Sequence, residues 1–400
     1  MYKLYCRVYQ KTFKWAFQLL GCPTPQLLEG ENSVYKLPAM IKVKGIDRIL
    51  IVTDRGIMNI GLIDEFLKGL EAKDIAYTIY DETVPNPTID NIEEAVKAYH
   101  QHTCQAILAF GGGSSIDCAK VVGARIANPD KSVPDMKGQL KVKKSIPPLF
   151  AVPTTSGTGS EATIAAVISN RETHEKYAIN DIVLVPQAAV LDPLLTVNLP
   201  PMLTATTGMD ALTHAVEVYI GKANTTETKT WSKEAIILIF NHLYKAYSNG
   251  TNIQARAGMQ KASYLAGMAF TRVGVGNIHA IAHTLGGFYS TPHGLANAVI
   301  MPYVLEYYGE SVHKSLAELA DLLTLTKKDE SDTQKATAFI EAIKQLNTSM
   351  NIPTTIQGIV DHDIPTMIKR ALKEANPLYP VPKIFNQRDM NELYKRIREA

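Results

Sequence analysis

The chain is 400 residues long, 46% apolar and 20% charged, with a formal net charge of +2. That length can bury more than one core, so two domains are expected, and the balanced charge excludes the basic field of a nucleic-acid binder. Cys6, Cys22, Cys104 and Cys118 lack CxxC spacing, which argues against a disulfide framework or a cysteine zinc site and fits a reducing cytoplasm.

In chain order, Lys3, Arg7, Lys11, Lys14 and Gln18 recur at helical spacing opposite Tyr5, Tyr9, Phe13, Trp15, Ala16 and Leu20. An amphipathic extension over residues 1–25 follows. A basic helix of this kind can lie on a membrane surface, but packing on its own domain or on a sister subunit is the expectation here. No small-residue cleavage site follows it, and no apolar run approaches the roughly 20 residues of a spanning helix.

Arg48 to Thr53, Ala76 to Tyr80, Cys104 to Phe110 and Pro148 to Val152 are compact β-rich runs. Helical patterns separate the first three, over Ile57 to Lys73 and Ile89 to His102, the latter capped by Thr88 or Asp90. The alternation predicts βαβ units and a mostly parallel sheet. The third strand runs into Gly111-Gly112-Gly113-Ser114-Ser115 and a helix to Ala127. Such a turn is a phosphate cradle, because glycine admits close approach and the helix start offers N–H donors. The strict GxGxxG spacing is absent, and Asp54 follows the first strand rather than the second, so a plain helix-packing turn stays open. The loop Pro153 to Glu161 is dense in hydroxyls and suits the lining of a polar ligand. A hairpin over Thr163 to Ser169 and Tyr177 to Ile179, and a strand within Asp181 to Leu191, complete an α/β domain of residues 1–200.

Helical periodicity then takes over, predicting an all-helical domain of residues 201–400. Asp210 and His214 stand four apart on one helical face, as do His279 and His283. Gly286, Gly287 and Pro292 are expected to break the second helix and return His293 to the same point. Taken singly, these are polar helix faces or satisfied core histidines. Together, one carboxylate and several imidazoles without cysteine suit a borderline divalent metal such as Fe(II) or Zn(II).

The motifs Gly111 to Asp117, Pro153 to Glu161, Gly208 to His214 and His279 to Ala298 resemble the iron-containing (group III) alcohol dehydrogenases, over nearly the whole chain from about Leu28. The resemblance implies a dehydroquinate-synthase-like architecture, an α/β nucleotide-binding domain followed by a helical metal domain, with the active site in the cleft between them. It implies Asp210, His214, His279 and His293 as metal ligands, and His283 beside the nicotinamide. It further implies NAD contacts at Asp54, Asn86, Gly112, Gly113, Ser114, Thr154, Thr155, Thr158, Thr163, Lys176 and Leu195. Asp54 favours NAD, since a 2′-phosphate would meet a carboxylate.

The expected activity is hydride transfer between a primary alcohol or small diol and NAD, with Fe(2+), or Zn(2+) or another divalent ion, polarising the oxygen. His283 is the expected catalytic residue, passing the proton outward. Ala165, Phe270 and Val275 are the expected substrate pocket, and their small or apolar character tilts the substrate toward simple primary alcohols and aldehydes. A homodimer or higher homo-oligomer in the cytoplasm is expected. The alternatives are a glycerol-dehydrogenase-like zinc enzyme of the same fold and a catalytically inactive, filament-forming nucleotide-binding scaffold.

Overall fold

The computed structural model describes residues 1–170 and 175–399; the side chains of residues 13 and 16–20 lie outside the described set, and with them the apolar assignments of Phe13, Ala16 and Leu20. The chain divides into two compact units. One holds Cys22–Leu199 with Gly250–Gly267, and the other holds Met1–Gly21, Pro200–Asn249 and Met268–Ala400.

The division differs from a single cut near Pro200 in two places, each with a local cause. Helix α1 (Tyr2–Leu20) is tied to the C-terminal part of the chain by its polar side. Arg7 donates to the Val381 and Pro382 carbonyls at 2.7 and 2.9 Å, and Gln10 donates to Tyr379 O at 2.6 Å. Its other side is turned outward, with Leu4, Tyr5, Val8 and Trp15 55–69% exposed. The segment 250–267 joins the α/β unit because Arg256 donates to Leu199 O at 3.3 Å and Gln260 to Asp192 O at 3.1 Å.

In the α/β unit the strands are β1 (Gln26–Glu29), β2 (Arg48–Val52), β3 (Ala76–Tyr80), β4 (Ala106–Gly111), β5 (Gly138–Gln139), β6 (Leu149–Pro153), β7 (Ala165–Asn170), β8 (Glu175–Asn180) and β9 (Ala188–Leu191). Six form a sheet in the order β1-β9-β6-β4-β2-β3, every pairing parallel. A second sheet, β5-β8-β7, contains the antiparallel β7–β8 pair. The large sheet is buried on both faces, as parallel sheets usually are. Leu50, Val52, Ile107 and Ala109 point to one core, and Ile49, Ile51, Leu108 and Phe110 to the other.

Helices α2 (Leu37–Val43) and α4 (Asp64–Glu71) cover one face, and α5 (Ile89–Gln101) and α6 (Gly113–Ala127) the other. The helix expected from Ile57 to Lys73 is two pieces, Arg55–Asn59 as α3 and then α4, because Gly61 takes a left-handed φ of 64° between them. Thr88 caps α5 in a capping box with Asn91. Since the strands are parallel, their carboxyl ends share one edge of the sheet, where open α/β sheets hold ligands. Asp54, the Gly111–Gly113 turn and Thr154 follow β2, β4 and β6 at that edge.

The helical unit contains α7 (Pro201–Ile220), α8 (Thr226–Ser248), the end of α9 (Ile253–Val273), α10 (Asn277–Tyr289), α11 (His293–Tyr308), α12 (Glu310–Leu322), α13 (Asp332–Ser349), α14 (Ile364–Ala375) and α15 (Gln387–Ile397). Gly286 and Gly287 do not break α10, which continues through both to Tyr289. The reversal is made instead by Ser290, left-handed at φ 54°, and by Pro292 as the N-cap of α11. Two mid-helix glycines cost about 1 kcal/mol each, and the buried side chains of Ile278, Ile281 and Leu285 outweigh that. No helix among the described residues is long and apolar enough to cross a membrane.

Candidate metal centre and cofactor turn

Helix α7 presents Asp210, His214 and Glu217 at i, i+4 and i+7, one continuous face. Helix α10 contributes His279, and α11 opens on His293 with Asn297 one turn later. Ligand atoms of Asp210, His279 and His293 all lie within 4.8 Å of one another. Asp210 Oδ1 is 3.7 Å from His279 Nε2 and 3.5 Å from His293 Nε2. Metal bonds of about 2.1 Å put neighbouring ligand atoms roughly 3.0–3.5 Å apart, so the spacing fits one ion with small adjustment.

His214 is placed differently. Its ring stacks on that of His279, with centroids 4.3 Å apart, and on Phe270 at 4.3 Å. The geometric grouping therefore holds three of the four sequence-implied ligands, with the fourth in contact with it.

Asp210 and the histidines around it are complementary in charge. Burial alone would raise the Asp210 carboxyl, but His214, His293 and His279 together hold it well below the usual range. Burial would lower His279, yet the neighbouring Asp210 and Glu217 carboxylates push it up to about 9. Asn297, fully buried, donates its amide to Asp210 Oδ1 at 2.7 Å and sits 3.2 Å from both Nε2 atoms. A donor drawn to all three ligand atoms marks the point at which their lone pairs converge.

His283 lies beside this group. Its ring stacks on His293 at 5.0 Å, and its Nδ1 is 2.6 Å from Glu374 Oε1. Tyr379 also donates to that oxygen, at 2.8 Å. Glu374 carried no local sequence signal, since it lies 91 residues from His283. Glu217 and Asn297 did carry one, in their helical spacing from Asp210 and His293.

In the α/β unit, the turn after β4 is held by close contacts. A Cβ on Gly113 would stand 2.6 Å from Thr158 Cγ2, and one on Gly112 3.3 Å from Thr155 Cγ2. The Asn86 N–H donates to Ser114 Oγ at 3.2 Å, and Lys176 Nζ to Asn86 Oδ1 at 2.8 Å. Asp54 caps α3 through Ile57 N and places Oδ2 3.5 Å from Ser115 Oγ. The Thr154 N–H bonds Gly111 O at 3.0 Å. Nine of the expected NAD contacts thus lie on this turn or are joined to it by these contacts, while Thr163 bonds Lys120 further along α6. Leu195 instead packs against a core of the sheet. Ala165 begins β7 in this unit, whereas Phe270 and Val275 belong to the helical one.

A buried charge cluster underlies the turn. Lys120 Nζ donates to Thr163 O, Thr163 Oγ1 and Ala165 O at 2.7, 2.9 and 2.8 Å. Asp117 accepts from Ser160 Oγ at 2.6 Å and Val167 N at 2.9 Å. Burial pushes Glu161 up to about 7 against the opposing pull of its own backbone N–H and of Lys120. A folded carboxyl above its unfolded value of 4.5 binds extra protons between the two, so stability falls as pH rises through that window. At about 1.4 kcal/mol per pH unit the penalty reaches roughly 3 kcal/mol above pH 7. Glu161→Gln removes this titration, so urea unfolding should show the variant gaining on the wild type between pH 5 and pH 8. Parallel pH profiles would contradict the assignment.

The chain is similar to known proteins over nearly its whole length. A family model described as iron-containing alcohol dehydrogenase matches residues 23–193, and one for the C-terminal part of the same family matches residues 204–398. The chain is 39% identical over 350 residues to alcohol dehydrogenase 4 of Saccharomyces cerevisiae, covering 86% of this chain and 90% of that protein. It is 36% identical to the 1,3-propanediol dehydrogenase of Klebsiella pneumoniae, covering 92% and 95%. The solved structure of an alcohol dehydrogenase from Oenococcus oeni superposes with a TM-score of 0.90 at 35% identity, covering 94% of this chain and 99% of that one.

Proposed function

The chain belongs to the iron-containing alcohol dehydrogenase family, and from that premise we propose that Asp210, His214, His279 and His293 hold the metal while the Gly112–Ser114 turn holds NAD. The protein is a metal-dependent, NAD(H)-linked alcohol dehydrogenase and aldehyde reductase. When bound, Fe(II) supplies Lewis-acid polarisation of the substrate oxygen, and the nicotinamide supplies or takes the hydride. The observation that carries the metal reading is the convergence of ligand atoms from α7, α10 and α11, with Asp210 and His279 buried and His293 half-buried. Metal analysis of freshly purified protein, combined with NADH formation from primary alcohols, tests it. A metal-loaded, anaerobically handled sample inactive on every alcohol sinks the reading.

The chain's own residues supply placement and proton handling. His283, held at Nδ1 by Glu374, keeps Nε2 for the substrate side and moves the proton through that atom. His283→Ala should lower turnover by about 10²-fold or more while metal content stays near normal; unchanged turnover and pH profile refute it. Asp54 sets the cofactor. Asp54→Ser keeps a capping side chain for α3 but removes the charge that a 2′-phosphate would meet. Like-charge contact costs several kcal/mol, so the NADPH/NADH ratio of kcat/KM should rise about 100-fold; an unmoved ratio rejects the role.

Small primary alcohols and aldehydes are the proposed substrates, supported by the modest side chains of Ala165 and Val275. A kcat/KM series over ethanol, butanol, 1,2-propanediol and 1,3-propanediol decides, with diol preference overturning the choice. The outward apolar side of α1 supports a homo-oligomer, and four free cysteines support a cytoplasmic site.

A further inference from the structure

Glu217 lies two helical turns beyond Asp210 on α7 and is 4% exposed. Its Oε1 accepts from the Ile278 N–H at 2.7 Å, and its Oε2 from the Gly276 N–H at 2.7 Å. The same Oε2 stands 2.7 Å from His279 Nδ1. An ionised carboxylate has only acceptors, so Nδ1 must carry a proton, and in the neutral ring that a metal binds the lone pair is then on Nε2. That Nε2 is the atom facing Asp210. The carboxylate also closes the N-terminus of α10, where helix N–H groups lack internal partners. The fit is tight, because a Cβ on Gly276 would stand 2.5 Å from Glu217 Oε1.

We propose that Glu217 is a positioning residue for the metal centre: it fixes the tautomer and ring plane of His279 so that Nε2 is presented as a ligand. This rests on the reading of Asp210, His214, His279 and His293 as the metal site. No other described contact holds the Nδ1 side of His279, and the two backbone bonds to the same carboxylate prevent it from swinging away. Outer partners of metal-bound histidines act in this way, and their loss typically weakens metal binding about 10–100-fold.

The test is zinc affinity, measured by chelator competition on the full chain, in a double-mutant cycle. Glu217→Gln sets an amide N–H2 against at least one of the three donors in either orientation, and removes the negative charge that favours the proton on His279 Nδ1. The expected result is a 10–100-fold loss of zinc affinity in the wild-type background and no further loss in His279→Ala. Gly276→Ala, which pushes Oε1 aside without altering Glu217, should weaken zinc in the same direction and not add to Glu217→Gln. A Glu217→Gln protein that binds zinc normally overturns the proposal when His279→Ala does not. An equal loss in the His279→Ala background also overturns it, since Glu217 would then act only on the fold. Wild-type zinc affinity in His279→Ala would instead overturn the metal reading itself.

Discussion

Asp210→Asn is expected to yield a folded protein that binds NAD, takes up no stoichiometric metal, and loses about 10³-fold or more in kcat/KM. The substitution keeps the side chain's shape, and the amide oxygen can still accept from Asn297. What it removes is the negative charge around which three imidazoles are gathered, at a position only 2% exposed. Burial makes that charge costly, and the histidines more than offset the cost. Without it, a dication would be held by neutral imidazoles alone in a site of low polarity. Lewis-acid polarisation is worth several kcal/mol at the transition state, and each 1.36 kcal/mol is tenfold in rate. NAD binding should survive, because its candidate contacts lie on the other compact unit. Elemental analysis and NAD titration of the purified variant separate the two effects. Retention of both metal and rate would remove Asp210 from the ligand set.

What the sequence disclosed depended on whether the signal was local. The strand, glycine turn and helix around Gly111 to Ala127 were legible because all three features are consecutive, and the alternation of strands with helices sufficed for a parallel sheet. Asp210 with His214, and His279 with His283, were legible through helical spacing alone. Helix α11 was not, because residues 296–302 are buried on every side and Pro302 interrupts the pattern, so no amphipathic period exists to be read. Gly286 and Gly287 misled in the opposite sense: their intrinsic cost is real, but tertiary burial of α10 exceeds it. Glu374 shows the remaining limit, since only the folded chain brings it to His283. The outward apolar side of α1 was likewise invisible. Periodicity establishes that a helix has two sides but not which one meets the body, and here Arg7 and Gln10 decide it through carbonyl acceptors hundreds of residues away.

Gly294→Ala should disrupt the metal centre without touching any ligand. A Cβ at this position would stand 2.2 Å from Thr206 O, 2.7 Å from Thr206 C and 3.3 Å from Thr207 N. These are backbone atoms of α7, so no side-chain rotation relieves the overlap, and one helix must move. His293 immediately precedes Gly294, while Asp210 follows Thr206 by one turn, so the displacement falls directly on the 3.5 Å approach between His293 Nε2 and Asp210 Oδ1. Metal sites tolerate distance errors of only about 0.2 Å. Overpacking of this kind costs typically 1–3 kcal/mol, and more where the opposing atoms cannot yield. The expected outcome is a destabilisation of about 3 kcal/mol together with loss of most bound metal, read from denaturant unfolding and metal analysis. Gly69→Ala is the matched control. It lies within α4, where the new Cβ meets only Pro38 Cγ at 3.4 Å, so it should be neutral or stabilise by about 0.5–1 kcal/mol. Wild-type metal content and stability in Gly294→Ala would mean that α7 and α11 can separate without disturbing the ligands, and that the glycine is not what allows His293 to meet Asp210.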